Sequence, residues 1–497
     1  MNPLKKLAGQ TAIYGLSSIV ARSINFLLVP LYTAYLSAES YGTLSIFYGY
    51  VAFFNVIYLF GMETAYFRYA SKEDDQHAFN TAVSYILIIS LTTSLALFLF
   101  ADTISNYIGN GSQPIFVQMM AVVLAIDAFV AIPLARLRRQ NRAKKFAAVR
   151  MANIGINILL NLFFIKVCMD VRNGEYLTNL LPSVLEYHDI GFLVGYILLA
   201  NLISNGLMIP MLMSSFKGFR FQLPKEFAKP MLTYGYPLVF VGLSGIINEV
   251  LDRIVLSKML PENFYGGLST TAAVGIYSAC YKFSMFIALV IQAFRYAAEP
   301  FFFSQAKDKN APTTYAEVMK WFIIALAIIF VVIGTLREPI GWIILRQPEY
   351  RQGLIIVPIL LLANMFLGIY YNLTVWYKMT DKTSYGTLIS IIGASITIAL
   401  NFILIPLIGY LGSAIATLIC YFTMTVISYL LGQKFFPVPY HIDSALKYLI
   451  VSAAFVGVTY FDFGLTNVAA VCLSALLILA FLGFVYLSEK RKIPFKN

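Results

Sequence analysis

Residues 383–432 read TSYGTLISIIGASITIALNFILIPLIGYLGSAIATLICYFTMTVISYLLG, fifty positions without an acidic or basic side chain. A membrane-spanning helix needs roughly 20 apolar residues, so the stretch holds two. Pro406 and Gly409 interrupt it and divide it into predicted helices over 383–405 and 410–432. Lys382 and Lys434 bracket the pair. A tight hairpin of two spans returns the chain to the side it left, so both lysines fall on one face of a membrane.

The rest of the chain has the same character. Of 497 residues, 59% are hydrophobic and 12% charged, against roughly 25% charged in a soluble domain. So few charges cannot cover the surface of a soluble protein this long. A soluble enzyme, a nucleic-acid-binding protein and a secreted disulfide scaffold are excluded. The spacing of apolar runs and polar breaks predicts an all-α polytopic membrane protein with 14 transmembrane helices. They fall near 9–36, 41–69, 80–100, 114–136, 146–168, 189–214, 231–259, 271–300, 317–336, 353–377, 383–405, 410–432, 445–461 and 467–488. The stretch 338–346 (EPIGWIILR) is too short to span and reads as a re-entrant or interfacial turn. The remaining segments are too short for a soluble or catalytic domain. Cys168, Cys280, Cys420 and Cys472 are scattered, as are His77, His188 and His441, so no metal site is expected. No P-loop, GxSxG, HExxH or Rossmann glycine pattern occurs, which points to no cofactor and no direct use of ATP.

The net charge is +12. With the N-terminus placed in the cytoplasm, 26 Lys and Arg fall on the inner side of these spans and six on the outer. That asymmetry is the orientation signal of a multi-pass protein with both termini cytoplasmic. The densest run, RLRRQNRAKKFAAVR (136–150), reads as part of that signal and meets acidic head groups; a dedicated anionic-lipid site is the alternative.

Charges inside spans cost roughly 2.5–3.5 kcal/mol each by insertion scales, so they are the first functional candidates. The first span holds Arg22; the second holds Glu63, with Arg68 at its inner end; the fourth holds Asp127. The seventh holds Glu249, Asp252 and Arg253, and the eighth holds Lys282, Arg295 and Glu299. Glu249 with Arg253, and Arg295 with Glu299, stand four apart and are placed to neutralise one another on a helix face. Arg68 is near enough to the inner surface to snorkel. Arg22 and Lys282 have no acidic residue three or four positions away. Each must meet a distant carboxylate, water or an anionic ligand. A cavity lined by such cations suits an anionic passenger. Asp127, Glu63 and Asp252 are either partners for the cations or carriers of a coupling ion.

The tetrapeptide Phe-Arg-Tyr-Ala occurs at 67–70, ending the second span, and again at 294–297, in the eighth. The YGTLSIFYGY (41–50) and VGIYSACYKF (274–283) segments precede the two copies. The repetition suggests two related six-helix lobes, residues 1–220 and 221–435, with two further helices and a tail over 436–497. Pro30 and Pro237 fall in the lead helix of each lobe and are candidate hinges.

The chain resembles the polysaccharide flippases of O-antigen and capsule type, within the multidrug/oligosaccharidyl-lipid/polysaccharide exporter superfamily. The resemblance begins with Arg22 and NFLLVPLYTAYLSAESYG (25–42), and continues through GMETAYFRYA (61–70) and YGYPLVFVGL (234–243) with Asp252-Arg253. VGIYSACYKFS (274–284), AFRYAAEPFF (293–302) and LNFILIPLIGYLGSAIATLICY (400–421) complete it. It implies two lobes around a central cavity that opens alternately to each side. It also implies a cargo of oligosaccharide on undecaprenyl pyrophosphate, moved across the bacterial cytoplasmic (inner) membrane for surface polysaccharide or lipopolysaccharide synthesis. On that resemblance Arg22, Arg253 and Lys282 best match the cavity cations, with Arg295 and Arg68 next. The implied partners are the lipid-linked oligosaccharide and membrane lipids, with H+ or Na+ and the polysaccharide polymerase machinery as further candidates, and no nucleic acid. A lipid II flippase and a multidrug and toxin extrusion antiporter share the fold and remain alternatives. A membrane glycosyltransferase or polymerase would want a larger outer loop.

Overall fold

A computed structural model describes residues 26–70, 75–109, 113–177, 179, 181–305, 310–461 and 466–490, with the side chains at 297, 299, 300 and 303–305 also outside the description. Arg22 and the Glu299 side chain therefore lie outside the described residues. No strand occurs among those described. The chain divides into two compact units, Met1–Ser278 and Ala279–Asn497.

Among the described residues, eleven helices are long and apolar enough to cross a membrane. The quoted stretch forms two of them, Thr383–Ile408 and Tyr410–Phe435, turning at Gly409 with φ 61°. Three further expected spans also have a helix. The first is described only from Phe26, as Phe26–Tyr35. The thirteenth is Ile442–Val458, of 17 residues. The seventh is Lys225–Met259, long enough at 35 residues but diluted by Pro230, Pro237, Glu249, Asp252 and Arg253. The segment 338–346 contains the short helix Arg337–Ile344.

The first unit holds α1 (Phe26–Tyr35), α2 (Ala38–Leu59), α3 (Met62–Ala70) and α4 (Asp75–Leu99). It continues with α5 (Pro114–Arg139), α6 (Ala143–Asn161), α7 (Leu193–Gly206), α8 (Lys225–Met259) and the start of α9 (Thr270–Tyr281). The second expected span is two helices, α2 and α3. Phe60 (φ 45°) and Gly61 (φ 66°) turn left-handed between them, a conformation glycine accepts readily. By contrast α8 runs unbroken through Pro237. The backbone discontinuity thus falls opposite the predicted hinge, because Gly61 packs on Gly235: a Cβ on Gly235 would stand 2.5 Å from the Phe60 carbonyl oxygen.

The same closeness recurs along α2. A Cβ on Gly42 would lie 1.9 Å from the Thr271 carbonyl oxygen, and one on Gly275 1.9 Å from that of Ala38. Ala38-Gly42 and Thr271-Gly275 are small residues spaced by four, the pattern that lets apolar helices bring their backbones together. Gly49 meets Ile254 and Val250, and Gly242 meets Val56. Residue numbers rise along α2 as they fall along α8, so the two helices pack antiparallel. This packing is why α8 belongs to the first unit.

The second unit holds α10 (Met285–Gln305), α11 (Ala311–Thr335), α12 (Val357–Leu373), α13 (Thr383–Ile408), α14 (Tyr410–Phe435), α15 (Ile442–Val458) and α16 (Asn467–Lys490). Its core gathers Ala363, Tyr370, Trp376, Ile389, Cys420, Tyr421 and Met424. Trp376 Nε1 donates to Ser428 Oγ at 3.2 Å, and Ser413 Oγ to Asn401 Oδ1 at 2.9 Å. Cys168, Cys280 and Cys420 are buried and unbridged.

In the connection before α7, His188 is 4% exposed and stacks on Tyr196 with centroids 4.6 Å apart. Its Nε2 sits 2.9 Å from the Phe164 carbonyl oxygen, and Arg172 donates to its main-chain oxygen. Burial, together with the Arg172 charge, holds the imidazole below the usual histidine range. A base whose folded value is depressed contributes stability above its unfolded value, near pH 6.5, and loses it as the pH falls.

Two outcomes are expected. Gly275→Ala should destabilise the purified protein by about 3 kcal/mol through backbone overlap. Gly155→Ala, whose Cβ meets nothing within 4 Å, should not; thermal melting in detergent compares them. Lowering the pH from 7.5 to 5 should lower the melting temperature of the wild type more than that of His188→Phe.

Candidate functional site

The predicted site residues fall into four local settings. At the C-terminal end of α5, Arg136, Arg138 and Arg139 point back into the protein. Arg138 pairs with Glu63 of α3, and Arg139 pairs with Asp75 and donates to the Ala70 carbonyl. Arg136 reaches Asp75 at 3.3 Å, Gln76 Oε1 at 2.7 Å and the Ser215 carbonyl at 3.1 Å, with its guanidinium 4.3 Å from the Phe79 ring. This clasp joins α3, α4 and α5. It gives Glu63 a partner from the basic run rather than from an intramembrane cation. Three members of that run are thereby engaged inside the molecule. Arg68, one turn beyond Glu63, is exposed and lies 4.4 Å over the Tyr234 ring of α8.

On α8, Asp252 is buried. It accepts from Tyr277 Oη at 2.5 Å, from its neighbour's main-chain N–H at 2.8 Å and from Arg253 Nη1 at 3.2 Å. Arg253 Nη1 also donates to the Glu249 carbonyl oxygen at 2.8 Å. The expected Glu249–Arg253 contact therefore includes a main-chain bond, while Asp252 is the carboxylate that holds the guanidinium. Glu249 is exposed and Asp252 faces the α9 side.

Asp127 on α5 ends a hydrogen-bonded chain that charge counting passes over. Asn153 Nδ2 donates to Asn205 Oδ1 at 2.8 Å, and Asn205 Nδ2 donates to Asp127 Oδ1 at 2.9 Å. Arg150 is the charged neighbour of Asp127. Beside this runs a second chain. Tyr32 Oη donates to Asn161, Asn161 Nδ2 to Asn157, Asn157 Nδ2 to Asn201 and Ser204, and Asn201 Nδ2 to Tyr48 Oη, all within 3.2 Å. Asn153, Asn157 and Asn161 recur every fourth residue of α6, and Asn201 and Asn205 do so on α7. That spacing places each set on one helix face. The ladder ties α1, α2, α5, α6 and α7 through groups that would be costly unpaired in an apolar interior.

In the second unit, Lys282 is half-buried in a 3₁₀ turn, Lys282–Ser284, between α9 and α10. Such a turn inside a spanning run is a common mark of a hinge or a functional position. Arg295 on α10 is exposed and lies 4.2 Å over the Tyr371 ring of α12. Among the described residues no group of three or more metal-ligating side chains occurs.

The family model for polysaccharide biosynthesis proteins matches residues 7–305, more than half of the chain. The chain belongs to the polysaccharide biosynthesis protein family. Its sequence is 24% identical over 448 residues to a protein of the Lsg locus of Haemophilus influenzae, covering 85% of this chain and 99% of that one. It is 23% identical over 441 residues to an uncharacterized membrane protein of Methanocaldococcus jannaschii, covering 83% and 81%. Its fold is similar to that of the lipid II flippase MurJ in an inward closed conformation, with TM-score 0.70 and 18% identity over 95% of this chain and 98% of MurJ. It is also similar to an inward-facing multidrug resistance MATE transporter of the MOP superfamily, with TM-score 0.63 and 13% identity over 86% and 96%. This family member is therefore a multi-pass, all-helical membrane protein of the MurJ and MATE architecture, as its apolar periodicity implies.

In the family member described here, Asn157→Leu should strip Asn161 of an acceptor and Asn201 of a donor at once. A loss of about 1–2 kcal/mol is expected. Asn201→Leu on top of it should cost less than it does alone, since the two share one bond. Melting of the two single variants and the double tests this coupling.

Proposed function

We propose that this protein moves oligosaccharide carried on undecaprenyl pyrophosphate from the inner to the outer leaflet of the bacterial cytoplasmic membrane. It does so by alternating access and without catalysing a reaction, for synthesis of a surface polysaccharide such as O-antigen or capsule. In this reading fourteen spans form two six-helix lobes, residues 1–220 and 221–435. Helices 13 and 14 border the lipid tail, and both termini are cytoplasmic. The observation that supports it best is the pair Lys282 and Arg295 on the continuous helical run α9–α10 of a polysaccharide biosynthesis family member. Cations in a spanning segment are costly, and an anionic passenger offsets that cost. Pyrophosphate is such a passenger: it presents oxygens to the planar fork of arginine and the point charge of lysine. Arg22 and Arg253 are the proposed companions. Asp127, at the end of its amide chain, is the proposed carrier of a coupling H+ or Na+.

A second reading, a lipid II flippase, is favoured by the similarity to MurJ over nearly the whole chain. It keeps the pyrophosphate carrier and changes the sugars.

Reconstitution in liposomes separates the two. Lipid-linked oligosaccharide should change leaflets in the presence of the protein, faster than lipid II does. Arg22→Ala with Lys282→Ala should slow transfer at least tenfold without changing the melting temperature. Unchanged transfer by that double variant overturns the cavity-cation reading.

A further inference from the structure

The helical run that begins as α6 continues to Arg172, and its ladder changes step on the way. Leu162–Val167 is a π turn, in which the Cys168 N–H reaches back five residues to the Phe163 carbonyl instead of four. Such a turn holds one residue more than an α turn, is rare, and falls mostly at functional positions. Contacts from outside the helix have to favour it, and here they come from His188. Its Nε2 lies 2.9 Å from the Phe164 carbonyl oxygen. A carbonyl only accepts, so Nε2 carries the proton and Nδ1 of the neutral ring is bare. Tyr196 stacks on Phe164 as well as on His188, with centroids 5.3 and 4.6 Å apart. Its hydroxyl accepts from the Asp189 N–H at 3.0 Å and donates to the Tyr187 carbonyl at 3.1 Å, which fixes both neighbours of the histidine.

The imidazole is buried, and its Nδ1 has no partner among the described residues. A second proton would sit there as an orphaned donor bearing a charge, which is costly in a buried position. Burial is the largest influence against the cation, and Arg172, which donates to the His188 carbonyl, opposes it too. The Phe164 carbonyl and the exposed Asp189 favour the cation without prevailing. Glu186, two positions before the ring, is exposed, and Lys166 in the π turn is paired with Asp170. What lies beyond the turn gives the balance a consequence. Asp170 is buried and accepts from Lys166 Nζ and Tyr35 Oη, each at 2.5 Å, and from Tyr176 Oη at 3.1 Å. Tyr35 ends α1, so Asp170 ties that helix to this one. Returning the π turn to α geometry takes one residue out of the register. Everything after it then turns by about 100° and shifts by about 1.5 Å, which carries Asp170 away from Tyr35.

We propose that His188 is a proton-operated latch: a proton from the aqueous phase adds to the Nδ1 lone pair, the imidazole leaves the Phe164 carbonyl, the π turn relaxes to α, and α1 is released from Asp170. The latch stands at the end of the run opposite the basic segment 136–150. Charge asymmetry makes that the outer face, so acid outside the membrane works it. Histidine in water titrates near pH 6.5. The latch is therefore closed above that value and opens as the pH falls below it. It is independent of which cargo the protein moves.

Cys168, the first residue after the π turn, is buried and reports its rotation, with the exposed Cys472 as an internal reference. The purified full-length protein in neutral detergent is treated with dithiodipyridine, which reacts in acid, and the labelled peptides are weighed. Lowering the pH from 7.5 to 5 should raise the rate at Cys168 relative to Cys472 at least tenfold, with the profile of a single proton. Hydrogen exchange over residues 29–36 of α1, corrected for its intrinsic pH dependence, should quicken over the same interval. His188→Gln keeps an N–H donor that does not titrate, so both responses should vanish while Cys168 stays protected. Tyr35→Phe separates the two steps: exchange over 29–36 should be fast at either pH while Cys168 still answers to acid. An unchanged ratio in the wild type, a rise that persists in His188→Gln, or exposure of Cys168 without faster exchange over 29–36 overturns the proposal.

Discussion

Asp127 sits in the middle of a membrane-length apolar helix and takes the end of a hydrogen-bonded chain that begins on another helix. That arrangement expresses the constraint on which the structure depends. Without water in the interior of a bilayer, each polar side chain must find its partner inside the protein. The pairings therefore decide which helices touch. The asparagine ladder fixes α6 against α7, and Tyr32 and Tyr48 bring α1 and α2 to it. The Arg136–Arg139 clasp fixes α5 against α3 and α4. Between α2 and α9, glycines let the backbones meet. In the second unit, Lys320 of α11 meets Glu489 of α16, and Tyr448 of α15 donates to the same carboxylate. One buried acid thus gathers three helices.

Much of this fold is legible in the sequence, because hydropathy acts on each segment separately. The fifty uncharged residues of 383–432 have few alternatives to two helices and a turn. The break at Phe60-Gly61 is less legible: it lies within an apolar run, and only the positive φ and the nearness of Gly235 distinguish it. The long α8 is obscured for the opposite reason, since its prolines and charges lower its apolar signal although the helix continues through them.

The candidate site is less legible than the fold. Which carboxylate a guanidinium meets is a matter of packing between distant segments. Arg138 lies one turn from several polar groups in sequence, yet its partner Glu63 is 75 positions away. Arg253 takes its immediate neighbour Asp252, because Tyr277 holds that carboxylate in place from α9. The asparagines carry no charge, so a search for ionisable residues misses them. Their four-residue spacing is the signal that would have found them.

The duplicated Phe-Arg-Tyr-Ala joins these levels. In the first unit Arg68 stacks on Tyr234, and in the second Arg295 stacks on Tyr371. The two tyrosines come from helices at different places in their units, Tyr234 from α8 and Tyr371 from α12. Each stack also stands beside a cleft with a lysine, Lys229 in one unit and Lys378 in the other. Glu63 and Asp75 neutralise Arg138 and Arg139, whereas Arg68 and Arg295 are each supported by an aromatic face. The clasp arginines thus join helices through ion pairs, and the stacked ones meet their neighbouring helices through a ring.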